Sequence, residues 1–132
     1  MKPGNVLIKN KQIKICDFGG AKKRTPNETK SMTAFGGTPE YLAPELLNGG
    51  SGKFTEASDI WAIGVIFHKM LTNNIHPFLP KSDESPTNRD RNLTVIMDNM
   101  NKNKLNISET ITNPLYLSIL KGILREFVNN IH

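Results

Sequence analysis

Apolar and polar positions alternate at the start of the chain. In "NVLIKNKQIKIC" the pattern predicts one strand over Val6–Lys9 and a second over Gln12–Cys16. Asn10 and Lys11 turn between them, and asparagine tolerates the left-handed backbone that such turns need. Ile13 and Ile15 share one face and Lys14 lies opposite. From Gly19 to Gly37 the chain turns polar, with Pro26 and many Ser, Thr and Lys, which predicts a long loop. "GTPEYLAPELLNGG" predicts an ordered turn and a short helix ended by Gly49 and Gly50. "FTEASDIWAIGVIFHKMLTNN" is the strongest helix signal. Thr55 can cap it, Glu56 suits its first turn, and His68 and Lys69 suit its last. Its middle is apolar nearly all round, which predicts burial, with Trp61, Ile63 and Ile66 as core. Asn73, Asn74 and Pro77 stop it. Residues 80–92 are polar and predict a loop. Leu93, Ile96, Met97 and Met100 then recur at helical spacing, and "NKNKLN" predicts another loop. In the last segment Asn113 caps a helix and Pro114 takes its first turn. Tyr116, Leu120, Ile123, Leu124, Phe127 and Ile131 line one face of it. The expected architecture is one domain over residues 1–132, mainly α with a short β-hairpin.

Composition narrows the classes. A chain of 132 residues can bury one modest core. Its net charge of +5 would suit an anionic ligand, but the basic residues are spread along the chain. They form no dense stripe interleaved with aromatics, so nucleic-acid binding is not expected. The single cysteine, Cys16, excludes an internal disulfide framework and fits a reducing compartment. No apolar run is long enough to span a bilayer, and the start has no secretory pattern. Cytoplasm or nucleus is the expected location.

One stretch carries chemistry. In "QIKICDFGGAKK" a strand ends in a carboxylate, Asp17, beside Gly19 and Gly20. A carboxylate so placed can hold a metal ion against a phosphate. Three further motifs accompany it in order: "KPGN", "GTPEYLAPE" and "SDIWAIGVIF". Together with "DFG", in this order and on the predicted strand, loop and helix, they resemble the C-terminal lobe of the protein kinases. The resemblance is firm from Lys2 to about Phe78 and looser beyond.

The resemblance implies roles residue by residue. Asp17 and Asn5 match the metal ligands that hold Mg²⁺ against the phosphates of ATP. Lys2 matches the lysine that contacts the transferring phosphate in Ser/Thr kinases. Thr38 matches the threonine that bonds to the catalytic loop in that class. Leu7 matches the floor of the adenine pocket, with Val6 and Ile8 packing below it, and Cys16 the position beside the nucleotide. Phe18 matches an aromatic whose packing separates active from inactive states. Residues 17–45 correspond to the activation segment. Its phosphate acceptor would be Thr33, then Ser31 or Thr29, with Lys22, Lys23 and Arg24 as local partners. Glu45 and Asp59 match structural carboxylates, Asp59 accepting hydrogen bonds from the catalytic-loop backbone. Gly4 stands where kinases that prefer basic substrates often carry Glu. The partners implied are ATP and a protein substrate bearing Ser or Thr.

The departures matter as much. Within these residues there is no Gly-rich phosphate loop, no strand lysine paired with a helix glutamate, and no His-Arg-Asp before Lys2. Met1 stands where the family has the leucine that follows that triplet. The expectation is a lobe that begins inside the catalytic loop and does not catalyse by itself, or else a non-catalytic regulatory or docking protein. "LREFVNNIH" also has no Asp-Pro and no Arg in register for Glu45. Glu45 is expected to lack its partner or to reach Arg125 by another route, and a buried unpaired carboxylate would be costly.

Overall fold

The computed structural model describes residues 1–21, 38–47, 55–79 and 89–129, with backbone alone at 89–92 and 125–129. Strands β1 (Val6–Lys9) and β2 (Gln12–Ile15) form an antiparallel hairpin. Asn10 and Lys11 both take positive φ, 51° and 61°. That is the backbone of a type I′ turn, whose twist matches the strands it joins. Strand pairing ends at Ile15, one residue short of the expected Cys16. Cys16 nevertheless donates its N–H to the Asn5 carbonyl at 2.9 Å and so extends the ladder.

The register pairs Val6 with Ile15 and Ile8 with Ile13, which puts these side chains on one face. That face is open: Ile8 is 74% and Ile13 72% exposed. The expected packing of Ile8 beneath Leu7 is therefore absent, because residues on adjacent positions of a strand point to opposite faces.

Among the described residues four helices follow: α1 (Pro44–Leu47), α2 (Glu56–Leu71), α3 (Arg89–Asn101) and α4 (Pro114–Asn129). A 3-10 turn over Pro39–Tyr41 precedes α1. At the start of α2, Thr55 donates its N–H to Ser58 Oγ at 3.3 Å, and Ser58 returns its own N–H to the Thr55 carbonyl at 3.0 Å. At its end, Asn73 and Asn74 take positive φ, and Asn74 N–H closes onto the Lys69 carbonyl at 2.7 Å. The expected stop is a left-handed cap of this kind. Asn103 does the same for α3, with Asn103 N–H on the Met100 carbonyl and Lys104 N–H on the Asn99 carbonyl. Asn113 Oδ1 accepts the N–H groups of Leu115 and Tyr116 at 2.9 and 3.4 Å, as its place before Pro114 predicts.

Two expectations need correction. Residues 89–92 belong to α3 and not to a loop. Arg-Asp-Arg-Asn is polar because it forms a leading turn with no apolar face of its own, and polarity alone does not separate such a turn from a loop. Helix α2 is also not buried all round. Trp61, Ala62, Val65 and His68 are buried, but Ile60, Ile63 and Met70 are exposed, Ile63 at 41%. The described elements cover one side of α2, with α4 and the Pro39–Tyr41 turn packed there. Ile63 is thus not core, whereas Trp61 is and Ile66 packs against the core margin.

The core gathers Trp61 and Val65 of α2, Phe78 after it, Ile96 and Met100 of α3, and Leu120 and Leu124 of α4. Phe78 stacks on Trp61 with centroids 5.6 Å apart. Phe67 of α2 meets Tyr116 of α4 edge to face at 5.4 Å. Helices α2 and α4 pack tightly at Gly64. A β-carbon there would stand 2.6 Å from Ile123 Cγ2 and 3.0 Å from Leu124 Cδ2. The branched Ile123 side chain has little rotamer freedom in a helix and cannot swing away. Gly64→Ala is expected to lower the unfolding free energy by about 1–2 kcal/mol in a urea titration. It should do so although alanine is the better helix former. Adding Ile123→Ala should recover part of the loss. An unchanged midpoint in Gly64→Ala would mean that the helices part freely.

Candidate functional site

The candidate ligands lie at the open end of the hairpin. Asn5 closes a 3-10 turn over Pro3–Asn5, donating its N–H to the Lys2 carbonyl at 3.0 Å. Antiparallel pairing then sets Asn5 beside Cys16, directly before Asp17. Asp17 has φ 62° and ψ 71°, a left-handed conformation that short polar side chains tolerate better than most. A tight turn over Phe18–Gly20 follows. The hairpin therefore sets Asn5 next in register to the residue before Asp17, although the two are twelve residues apart in sequence. A carboxylate and a carboxamide oxygen are the hard donors that Mg²⁺ takes, and their chemistry fits that ion. Among the described residues no group of three or more His, Cys, Asp and Glu gathers to hold a metal.

The neighbouring candidates are open to solvent. Lys2 and Leu7 are exposed, and Cys16 is partly buried with a free thiol. Phe18 is 66% exposed, so the packing expected of it is not made here. Thr38 leads into the Pro39–Tyr41 turn, where its carbonyl accepts the Tyr41 N–H at 3.1 Å. Among the described residues no hydrogen bond joins Thr38 to Lys2 or Asp17. Thr33, Ser31 and Thr29, with Lys22, Lys23 and Arg24, lie outside the described residues.

The two structural carboxylates have different surroundings. Ser58 Oγ donates to Glu45 Oε1 at 2.9 Å, while the side chain of Arg125, the other expected partner, lies outside the described residues. Asp59 is exposed, and its partner is the Met1 ammonium at 3.6 Å rather than loop amides. An ion pair this open contributes little to stability.

A second, buried network joins the turn that follows Thr38 to α2. His68 and Lys69 lie in the last turn of α2 as expected, and both are buried. Lys69 Nζ lies 3.2 Å from Glu40 Oε2 and donates to the Tyr41 hydroxyl at 3.1 Å. His76 faces the Glu40 carbonyl through Nε2 at 2.9 Å and the Phe78 N–H through Nδ1 at 3.2 Å. A carbonyl only accepts and an amide N–H only donates. His76 is therefore neutral, with its proton on Nε2. His68 is the reverse case. Its Nδ1 meets the Ile75 carbonyl at 3.0 Å and its Nε2 meets the Ser108 N–H at 3.4 Å, so its proton is on Nδ1. Burial pushes the His76 pKa down to about 3, and the nearby charge of Lys69 adds to the effect. Burial also lowers that of His68. The signal available in sequence was weak: polar residues inside an apolar helix, three and four residues from its end.

Comparison with known proteins bears on the whole chain. A family profile described as "Protein kinase domain" matches residues 1–130. The striated muscle preferentially expressed protein kinase of Danio rerio is 31% identical over 92% of this chain, which covers 5% of that protein. Myosin light chain kinase family member 4 of Mus musculus is 44% identical over 67% of this chain, covering 22% of its own length. Mitogen-activated protein kinase 13 of Arabidopsis thaliana is 49% identical over 54% of it, covering 19%. The chain therefore spans less than a quarter of each of these relatives.

The buried network generates two expectations. In the unfolded chain both histidines take up protons as pH falls below about 6.5, while the folded forms stay neutral. Stability should fall on acidification by about 1.4 kcal/mol per pH unit for each histidine still neutral in the fold. For His76 the window runs from the ordinary value down to about 3. Urea midpoints measured at descending pH should drop, and His76→Gln should remove one histidine's share of the slope; an unchanged slope refutes the assignment. Second, removing Glu40 strands a buried ammonium, whereas removing Lys69 leaves only a half-exposed carboxylate. Glu40→Ala should therefore destabilise by about 2 kcal/mol, less than a fully buried pair would lose, because Glu40 is partly exposed. Lys69→Met should do so by less. Thermal unfolding of the two variants, with the reverse order as the contrary result, decides it.

Proposed function

Because this chain belongs to the protein kinase family, we propose that it serves Mg-ATP-dependent transfer of a phosphoryl group to Ser or Thr hydroxyls of a protein. The observation that carries this reading is the hairpin register, which sets Asn5 beside Cys16 and Asp17. Asp17 and Asn5 hold the metal through oxygen. An ion held there would supply positive charge against the phosphates. Leu7 and Cys16 flank the nucleotide, and Lys2 places a cation at the transferring group. Thr38 orders the loop on the substrate side. Phe18 packs differently in active and inactive states, and Thr33 or Ser31 accepts a regulatory phosphate. The chain works in the cytoplasm or nucleus; among the described residues no helix is long and apolar enough to cross a membrane.

These 132 residues alone should not catalyse. They contain no carboxylate beside Lys2 to accept the substrate hydroxyl's proton and no Gly-rich loop to cover the phosphates. General-base and positioning contributions are therefore missing from the chain by itself. A second reading is a non-catalytic docking protein. The exposed apolar faces at Ile8 and Ile13 and at Ile60 and Ile63 favour it, since such surface associates readily. That reading needs a stable product of this length in cells, and rapid clearance would count against it.

Incubation of the purified chain with labelled ATP and a generic protein substrate should give no transfer. Transfer that Asp17→Asn abolishes would overturn the expected inactivity. Joining the chain to the preceding half of a kinase domain from a myosin light chain kinase should bring transfer back. Asp17→Asn in that chimaera should then lower the rate by roughly a hundredfold or more. A chimaera indifferent to Asp17→Asn would sink the assignment of Asp17.

A further inference from the structure

The turn over Pro39–Tyr41 satisfies two of its carbonyls internally. Thr38 accepts the Tyr41 N–H at 3.1 Å and Pro39 accepts the Leu42 N–H at 3.0 Å. The Glu40 carbonyl has no place in that pattern and projects to His76 Nε2 at 2.9 Å. His76 is itself held from the other side. Its Nδ1 accepts the Phe78 N–H at 3.2 Å. Phe78 is fixed in turn by its stack on Trp61 and by Asn99 Nδ2, which donates to its carbonyl at 2.9 Å. A continuous line of contacts thus runs from the centre of the core to the backbone one residue beyond Pro39. Lys69 holds the same residue by its side chain, at 3.2 Å from Glu40 Oε2.

We propose that His76 is a positioning residue for the substrate-side turn: its Nε2–H on the Glu40 carbonyl fixes the backbone that presents Thr38. The inference rests on the reading of Thr38 as part of the kinase site. A hydrogen bond to a backbone carbonyl fixes the peptide plane itself, whichever side chain the turn carries. The charged and titratable groups that face His76 are Lys69 and His68 on α2, with Glu40 and Tyr41 on the turn. The buried ammonium of Lys69 disfavours a second cation on the imidazole, which keeps Nδ1 free to accept and Nε2 bound to its proton. The lock therefore stays closed without a metal or a ligand.

Two substitutions separate the two ends of the ring. Glutamine places an amide N–H near the position of Nε2, whereas asparagine places an acceptor near Nδ1 and reaches no further. Hydrogen exchange of the Tyr41 and Leu42 amides is the readout, with the α2 amides as the reference for global opening. His76→Asn should speed exchange in the turn by roughly tenfold and leave α2 unchanged. His76→Gln should restore rates near those of the natural chain. Equal acceleration in both variants, or none in His76→Asn, overturns the proposal. Imidazole nitrogen NMR of the unaltered chain gives a test that no variant's misfolding can obscure. It should report the proton on Nε2 of His76 and on Nδ1 of His68, and the opposite tautomer at His76 would refute the lock. Neither measurement involves nucleotide or transfer, so failure here and failure of the kinase reading are distinct results.

Discussion

Trp61 has no exposed surface, and Phe78 lies stacked against it with the rings 17° from parallel. The pair joins residues that are close in sequence but on different elements, because α2 ends between them at a left-handed asparagine cap. Once the chain has reversed there, Phe78 seals one end of the core. Asn99 of α3 donates to its carbonyl, and Asn106 donates its N–H to the carbonyl of Pro77. One turn along the same side of α2, Gly64 admits α4 to a distance that no side chain would allow. Helices α3 and α4 are therefore arranged around α2 by stacking, hydrogen bonding and absence of a β-carbon. Propensity is the smaller term, since an isolated helix of this length is marginal in water.

Local signals made most of this legible. The Asn10–Lys11 turn and the asparagine stops announce themselves by a left-handed backbone that asparagine tolerates, and the Asn113 cap by a side-chain oxygen that accepts helix N–H groups. The mainly α architecture with a short hairpin followed from period alone. What periodicity could not show was which side of α2 has neighbours. Ile60 and Ile63 look as apolar as Trp61 and Val65, and only the three-dimensional arrangement leaves the first two exposed. The first turn of α3 was hidden for the opposite reason, having no apolar face to advertise it.

The site shows the same division. Motif order singles out Asp17 and Asn5, and the hairpin register sets Asn5 opposite the residue before Asp17. The Ser58 donor to Glu45 was not legible, because it is thirteen residues away and of a type that more often caps helices. It also takes part in the start of α2, so one hydroxyl links a helix terminus to a carboxylate. The Glu40, Lys69 and His76 cluster was invisible for a deeper reason. A lysine and a histidine near a helix end satisfy the macrodipole equally well in solvent, and nothing in their spacing states that they fold inward.

The hairpin presents a different matter. It leaves four apolar side chains on one face, and among the described residues no strand pairs with its outer edges. Such an element would template the pairing of one molecule with the next. Lys9, Lys11 and Lys14 are set along and beside those edges, all exposed. They give every copy the same sign of charge where contact would begin, and so act as gatekeepers. Their protection is colloidal rather than structural. It reaches only as far as the ionic atmosphere permits, about 8 Å at physiological salt. The solubility of this chain is therefore tied to ionic strength through three lysines that have no part in its core or its chemistry.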